Sequence, residues 1–348
     1  MIAQVRELDL PTARQWFADV APFAPVSLSP DFAAADAQRQ RGLTPHHVGI
    51  ELAGRRWLYS VHCTAFAGGN AIGVISPYGY GGPLVTLEET PQLDWLVSVW
   101  QAWASWCASK SWIAELARLH PMLPQANWHG GVVKANRETV VVSLNAGLPV
   151  DASFNSLARR KCKRAIAAGA RIRWSSEAVD WEHFARFYRE AMRAMNAAPK
   201  YAFGDAYFAA LAQLAGARLC IVSGAAGEID SWWSAGVYLF GAEVAEYHLG
   251  ASASAGFSQG GPYLLQRAAC EEAQRLNCRH LYLGGGTDTR SDNALLFYKS
   301  CFSPHRMTFH AATAIHDPFA YWALAAKNGH NPDLPPSAVL FDLIEENG

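Results

Sequence analysis

The chain has 348 residues, 51% of them hydrophobic and 12% aromatic, so it is long enough for two domains with large packed cores. Its formal net charge of −1 excludes a protein that binds polyanions through its overall charge. Seven scattered cysteines without a CxxC pair exclude a disulfide framework or zinc site and indicate reduced, mostly buried thiols in a cytoplasmic protein. We also expect no metal, no signal peptide and no membrane span, because no ligand cluster, basic leader or long apolar run is present.

The first part of the chain predicts a hairpin and a glycine-rich loop. Residues His46–His62 have the pattern of two strands around the turn Ala53-Gly54. A strand at Ala71–Ile75 leads into SPYGYGGPL, whose three glycines and two prolines exclude a regular strand or helix. The segment holds Tyr78 and Tyr80 on a tight loop, which is either a structural turn or a ligand-facing loop.

A tryptophan-rich segment follows. Residues Leu93–Leu116 predict one long helix, with Trp100 and Trp103 on its core-facing side. A helix lying on a membrane surface would carry lysines along its polar face, and only Lys110 is available. The next apolar segment, Thr139–Leu144, predicts a buried strand.

The only strong charge run in the sequence lies on a predicted helix and the strand after it. No acidic residue interrupts it between Asp151 and Glu177. The run is typical of a solvated surface, but in a neutral chain it also fits an anionic ligand such as phosphate, pyrophosphate or an RNA backbone. Its seven basic residues are Arg159, Arg160, Lys161, Lys163, Arg164, Arg171 and Arg173.

A second hairpin is predicted at Ala235–Ser252, with its turn at Gly241-Ala242. In its second arm, strand alternation places Glu246 and His248 on one face and Tyr247 and its apolar neighbours Ala245 and Leu249 on the other.

Residues 256–302 combine two glycine loops with two helices. The first loop, Gly260-Gly261, precedes a helix that begins at Pro262, a favoured first helical position for proline. A short strand, His280–Leu283, runs into the glycine triplet that contains Gly285, and a second helix is predicted to begin near Ser291.

Lys299 lies on the apolar face of that second helix. Burying an unpaired ammonium is unfavourable, so the side chain either extends to water or meets an anion near the glycine loops. Both interpretations remain open from the sequence.

The order of these motifs resembles that of FemAB-like proteins, aminoacyltransferases that build peptidoglycan cross-bridges and are related to the GNAT acyltransferases. The resemblance covers about residues 76–302 and rests on SPYGYGGPL, TVVVSL, ARRKCKRAIAAGARIRW, GGPYLLQRAACEEAQRLNCRHLYLGGG and FYKSCF. It implies an α/β chain with mixed sheets in two tandem GNAT-like domains. The expected division is 1–150, 151–318 with the glycine loops and Lys299, and a C-terminal helix and tail at 319–348.

The resemblance also implies transfer of an acyl or aminoacyl group to an amine, in cell-wall or exopolysaccharide precursor metabolism. Acyl-CoA and aminoacyl-tRNA both remain open as donors, and no bound cofactor is expected. Three residues are candidates for a general base, namely His248, Glu246 and Asp288. The expected substrate-binding residues are Tyr78, Tyr80, Arg160, Lys163, Arg164, Tyr247, Gly260, Gly261, Gly285 and Lys299.

An alternative hypothesis is a non-catalytic protein that keeps the fold and binds a phosphate-bearing ligand such as a nucleotide-sugar, tRNA or peptide. The absence of an assured general base favours this alternative, whereas Lys299 and the two glycine loops favour the enzyme. Nucleotide-dependent dehydrogenases and Ser-His-Asp hydrolases are disfavoured, because the sequence has neither a GxGxxG spacing nor the triad order.

Overall fold

A computed structural model describes residues 3–66, 71–86, 91–224, 231–288, 290 and 292–329. The chain forms two compact units. The first unit comprises Met1–Pro22, Ser27–Asn136 and Phe309–Gly348, and the second comprises Phe23–Val26 and Arg137–Thr308. This division differs from the expected one, because residues 137–150 join the second unit and the C-terminal helix joins the first.

The described residues form a mixed α/β structure, as the sequence predicted. The strands are β1 Gln4–Leu8, β2 Thr44–Leu52, β3 Arg55–Ala65, β4 Ile72–Ile75, β5 Leu84–Val85, β6 Trp112–Leu119, β7 Val132–Ser143, β8 Arg171–Ser175, β9 Ala217–Ser223, β10 Trp232–Phe240, β11 Val244–Ser252, β12 His280–Gly285 and β13 Arg306–Ile315. The α-helices are α1 Leu10–Val20, α2 Pro30–Asp36, α3 Leu93–Ser109, α4 Gln125–Trp128, α5 Ser156–Ala167, α6 Ala178–Ala194, α7 Asp205–Gln213, α8 Ser254–Gln259, α9 Gly261–Arg275, α10 Ala294–Ser300 and α11 Pro318–Lys327.

The first unit is built on strands in the order β1-β2-β3-β4-β6-β13, with β5 beside β3. The β4–β6 pair is parallel, and the other pairs are antiparallel. The predicted hairpin is confirmed as β2 and β3, and its turn residues Ala53 and Gly54 both have positive φ, as a type I′ turn requires. Helix α3 packs on this sheet with Trp95 and Trp103 buried, and α11 packs on β6.

The prediction of a single helix over Leu93–Leu116 is wrong. Helix α3 ends at Ser109, Ser111 has a positive φ of 57°, and Trp112 begins the buried strand β6. Short apolar runs are compatible with either a buried helix or a buried strand, and here the central position of β6 in the sheet decides for the strand.

The second unit has the strand order β7-β12-β11-β10-β9-β8. Its β11–β12 pair is parallel, and the pairs around it are antiparallel. Helices α5 and α9 cover the sheet face that carries Tyr238, Phe240 and Ala245, whereas α6 and α7 contact β11 and β9 respectively. The seven cysteines are all buried free thiols, as predicted. Among the described helices, none is both long and apolar enough to span a membrane.

Strand β11 contains a bulge that the simple alternation did not predict. Tyr247 pairs with Tyr238 and Leu249 pairs with Val237, so His248 is an extra residue in β11. Because adjacent residues of β10 point to opposite faces, Tyr247 and Leu249 lie on opposite faces too. The predicted common face for these two side chains is therefore wrong.

Candidate functional site

Strands β11 and β12 stop pairing part-way along the sheet of the second unit. They pair in parallel only over Val244–Glu246 and His280–Tyr282. Beyond these residues, no strand pairing between them occurs among the described residues, although β11 continues to Ser252 and β12 to Gly285. We call the gap between residues 247–252 and 283–285 the β11–β12 cleft, because the two strands do not pair there and their facing backbone polar groups need other partners.

The first unit also has a parallel strand pair, β4 and β6, but there the loop after β4 continues to form hydrogen bonds with β6. After β4, Ser76 N donates to Leu116 O at 3.1 Å, and Arg118 N donates to Ser76 Oγ at 3.1 Å. Gly81 N then donates to Arg118 O at 2.7 Å, and Gly81 forms a bridge with Leu119. The tyrosine- and glycine-rich loop thus occupies the edge of β6 that would otherwise be open, which leaves the second unit as the better candidate for a ligand site.

Lys299 of α10 lies at the β12 side of the cleft. Its Nζ donates to Gly285 O at 2.7 Å and lies 5.8 Å from the centre of the Tyr247 ring. The side chain is buried, and burial lowers the pKa of the ammonium to about 7. No carboxylate among the described residues offsets this effect. Of the two interpretations that the sequence left open, extension to water does not fit this burial, and the ammonium is a buried donor with spare hydrogen-bonding capacity.

The helix that carries Lys299 begins later than predicted. Its N-cap is Asn293, whose Oδ1 accepts from Leu295 N and Leu296 N, both at 3.0 Å. The predicted start, Ser291, lies outside the described residues. Asn293 also donates to Thr287 Oγ1 at 2.8 Å, so the helix start is tied to the loop after β12.

The three candidate bases do not gather around Lys299. Glu246 is buried on the face opposite Tyr247, the face of Leu239 and Leu249. Asp288 is on the surface, and Arg290 N donates to its Oδ1 at 3.0 Å. Only His248, in the bulge next to Tyr247, lies on the stretch of β11 that bounds the cleft, and its Nε2 is 2.7 Å from Tyr207 Oη.

The Gly260-Gly261 segment is a junction between two helices and not the loop that was predicted. Gly260 ends α8 with a positive φ of 90°, and Gly261 begins α9. A Cβ on Gly260 would lie 2.4 Å from Lys161 O, so the tight junction also depends on glycine for its packing against α5.

Helix α5 carries the basic run, as predicted. Asn155 caps it by accepting from Ala158 N at 2.9 Å, and Ala158, Cys162 and Ala165 form its buried side. The exposed side of α5 carries three cations that form no ion pair within the described part of the chain, Arg160, Lys163 and Arg164. They therefore form an unneutralised basic surface beside the α8–α9 junction.

Tyr78 and Tyr80 lie half-buried in the first unit. Tyr78 N donates to the buried Asp36 at 2.9 Å, and the Tyr80 ring packs edge-on against His120 and Phe309. These contacts fix the loop, as a structural turn requires. Contact of Tyr78 and Tyr80 with substrate remains a prediction.

Solved structures of known proteins share this architecture. The chain matches FemX with a TM-score of 0.69 at 12% identity, over 92% of this chain and 99% of that chain. It matches a tandem GNAT protein from the clavulanic acid biosynthesis pathway with a TM-score of 0.53 at 11% identity, over 91% and 99%. It also matches L-PGS from Bacillus licheniformis with a TM-score of 0.51 at 11% identity, over 82% and 91%.

The chain has the tandem GNAT fold. The fold expected from the motif order is therefore confirmed. No family model matches the chain, and no curated protein matches it in sequence. At these identities the likeness to the solved structures concerns the fold alone, so the reaction has to be argued from the site.

A buried carboxylate in the first GNAT-like unit escaped the sequence analysis. Glu115 of β6 is fully buried and accepts from Tyr59 Oη at 2.7 Å and Trp103 Nε1 at 2.9 Å. It is also bonded to His129 Nε2 at 3.0 Å and His316 Nε2 at 3.2 Å. Because β6 was taken for the end of a helix, nothing in the sequence indicated that these side chains would converge.

This network has the character of a structural core and not of a metal centre. His129 Nδ1 accepts from Gly131 N at 3.0 Å, which leaves its Nε2–H to donate to Glu115. In the described part of the chain, no group of three or more His, Cys, Asp or Glu side chains could hold a metal ion.

Proposed function

We propose that the chain is an acyl- or aminoacyltransferase that moves an acyl group from an activated donor to an amine at the β11–β12 cleft. The observation that carries this proposal is the buried Lys299 ammonium at the edge of an unpaired backbone stretch. A buried ammonium with no carboxylate partner destabilises the folded state, and an anion that arrives with the ligand would offset that effect. The fold shared with FemX and a tandem GNAT protein supports the same reaction class.

The chemistry requires an amine to attack the carbonyl carbon of an ester or thioester. Negative charge develops on the carbonyl oxygen as the new C–N bond forms, and it disappears when the bond to the leaving group breaks. The Lys299 ammonium and backbone N–H groups of residues 247–252 are suited to stabilise that oxygen, since preorganised donors act most strongly in a water-poor site. Holding both reactants in the cleft supplies the proximity that such a reaction needs.

The attacking amine must lose a proton. His248 is the one of the three predicted bases that lies on the part of β11 bounding the cleft, and its Nε2 is 2.7 Å from Tyr207 Oη. Glu246 lies on the part of β11 that still pairs with β12, and Asp288 is already paired with Arg290. We therefore assign the proton-accepting role to His248.

The basic surface of α5 supports a donor that carries phosphates, as both acyl-CoA and aminoacyl-tRNA do. Replacing Arg160, Lys163 and Arg164 together by glutamine is expected to weaken donor binding and flatten its salt dependence. Each lost phosphate contact should reduce the slope of log affinity against log salt by about 0.7–0.9. Fluorescence titrations at several salt concentrations measure both quantities.

The matched control replaces three exposed cations of the first unit by glutamine, namely Arg41, Lys134 and Lys327. It changes the net charge equally and should leave the slope unchanged. If the two triple variants have the same donor affinity and the same salt dependence, the cations of α5 are only solvated surface residues.

The function itself is tested with a screen of donors and acceptors, followed by a transfer assay. Acyl-CoAs, aminoacyl-tRNAs and UDP-linked muropeptides are first compared by thermal shift, because a ligand that binds the folded state raises the melting temperature. Donors labelled in the acyl group are then incubated with amine acceptors, and label in an amide product supports the proposal. Binding without transfer would instead identify a ligand-binding protein.

A further inference from the structure

A tyrosine of helix α7 is bonded to the imidazole of His248. Nitrogen Nε2 of the ring lies 2.7 Å from the hydroxyl oxygen of Tyr207, a normal hydrogen-bond length. Because His248 is the extra residue in the β11 bulge, the pairing of β10 with β11 does not set the direction of its side chain. The bond to Tyr207 supplies a direction that the strand pairing does not.

Tyr207 is itself firmly placed. Its side chain is fully buried, and its ring packs edge-on against that of Phe203, with 5.1 Å between the two centres. Arg189 of α6 ties down the chain on both sides of the start of α7. Its guanidinium donates to Phe203 O at 3.2 Å and pairs with Asp205 at 2.7 Å. A hydroxyl supported in this way can hold a neighbouring ring in one orientation.

The bond between the two side chains can run in either direction. A neutral imidazole carries one N–H, and a tyrosine hydroxyl can both donate and accept. If the hydroxyl donated to Nε2, the ring proton would be on Nδ1, and neither nitrogen would offer a lone pair to the amine. His248 can accept a proton only if Nε2–H donates to Tyr207 Oη and the lone pair is on Nδ1.

We propose that Tyr207 is a positioning residue that holds His248 in the tautomer with its proton on Nε2, so that Nδ1 takes the proton of the attacking amine. The amine lone pair forms the C–N bond, the N–H bond breaks, and its proton moves to Nδ1. The imidazolium later gives that proton to the sulfur or oxygen of the leaving group. This inference rests on the proposed function and adds the residue that prepares the base.

The first test observes the tautomer and does not depend on activity. Nitrogen NMR of protein labelled with ¹⁵N-histidine distinguishes a protonated ring nitrogen from an unprotonated one, and His248→Gln assigns the signals. At a pH where the ring is neutral, wild type should carry the proton on Nε2. In Tyr207→Phe, which keeps the ring packing and removes the hydroxyl, the signals should move toward a mixture of both tautomers. A proton fixed on Nδ1 in wild type would overturn the inference, whether or not the variant folds.

The second test measures acyl transfer in a double-mutant cycle. Tyr207→Phe should lower kcat by roughly 10- to 100-fold, within the 10²–10⁴-fold that a general base contributes. In a His248→Gln background the same change should alter kcat by less than about threefold, because the hydroxyl acts through the imidazole. The rise of the rate with pH should also lie at lower pH in Tyr207→Phe, since losing an acceptor for Nε2–H disfavours the charged ring. Additive losses in the cycle would show that Tyr207 does not act through His248.

Tyr59 provides a matched control in the first unit. Its fully buried hydroxyl donates to Glu115, also at 2.7 Å. Tyr59→Phe should lower the midpoint of urea denaturation and leave the His248 tautomer and the shape of the pH–rate profile unchanged. If it changed both as much as Tyr207→Phe does, the effect of Tyr207 would be one of general stability, and the inference would fall.

The outcomes separate the two proposals. A wild type that transfers acyl groups, with a tautomer and a rate that Tyr207→Phe leaves unchanged, would overturn this inference and leave the transferase intact. A wild type that has the expected tautomer and transfers from neither carrier contradicts the proposed function, and the catalytic use of the tautomer with it.

Discussion

Replacing Lys299 by methionine is expected to lower the rate of acyl transfer by about 10²–10³, the usual effect of removing one oxyanion donor. Methionine keeps the packing of the lysine stem and removes the ammonium that lies against Gly285 O. The wild-type rate should also decline on the alkaline side of pH 7, because burial lowers the pKa of Lys299 to about 7 and the neutral amine stabilises an oxyanion poorly. Rate measurements from pH 6 to pH 9 should show that decline in wild type and not in the variant.

The same replacement should make the folded state more stable at neutral pH. The unfolded chain binds a proton at Lys299 up to about pH 10.5, whereas the folded chain releases it near pH 7. Stability therefore rises with pH between these values, and the destabilising effect of Lys299 is complete below pH 7. Lys299→Met should gain on the order of 5 kcal/mol there, since a difference of about 3.5 pKa units corresponds to about 1.4 kcal/mol per unit.

Arg41→Met provides the control, because Arg41 is an exposed cation of the first unit. Urea denaturation of this variant should match that of wild type from pH 6 to pH 10, and its transfer rate should be unchanged. A Lys299→Met protein that is folded and fully active would show that Lys299 has a structural role only.

Glu115→Gln is expected to destabilise the first unit by about 3–5 kcal/mol, the usual effect of breaking a buried charge network. Four groups, from Tyr59, Trp103, His129 and His316, converge on the Glu115 carboxylate. An amide would turn its own N–H groups toward some of these donors and leave them unpaired. Urea denaturation at pH 7 measures the loss.

The stability difference should depend on pH in a defined direction. Burial alone raises the pKa of Glu115, but His129 and then His316 outweigh it and hold the pKa well below its ordinary value of 4.5. The stabilisation from the carboxylate is therefore complete above pH 4.5 and is lost as the pH falls toward the folded-state pKa. The partly exposed Glu51 is the control, because its ion pairs with Arg6 and Arg56 lie at the surface and Glu51→Gln should change stability little at any of these pH values. A constant difference between Glu115→Gln and wild type below pH 4.5 would contradict this account.

The sequence correctly predicted a turn, a helix start and a helix face, because neighbouring residues determine them. The turn at Ala53-Gly54, the proline at the start of α9 and the apolar side of α5 all agree with the structure. The alternation of apolar and polar residues could not identify a strand that is buried on both faces. Strand β6 is buried on both sides and lacks an alternation of apolar and polar residues, so Trp112 and its neighbours could not be distinguished from the end of α3.

The candidate site depends on features that a sequence pattern does not encode. The β11 bulge adds one residue at His248, and the separation of β11 from β12 follows from the pairing of whole strands. Lys299 was singled out because its apolar neighbours made a lysine unusual, but its bond to Gly285 O arises only in three dimensions.

The central claim is that Lys299 is a buried cation that awaits an anionic or carbonyl ligand in the β11–β12 cleft. Nitrogen NMR of protein labelled with ¹⁵N-lysine, with the Lys299 signal assigned from Lys299→Met, measures its titration directly. The account predicts a pKa of about 7 in the free protein and a clear rise when the donor found in the screen is added, because a nearby negative charge favours the ammonium. A pKa near 10.5 that does not respond to the donor would contradict it.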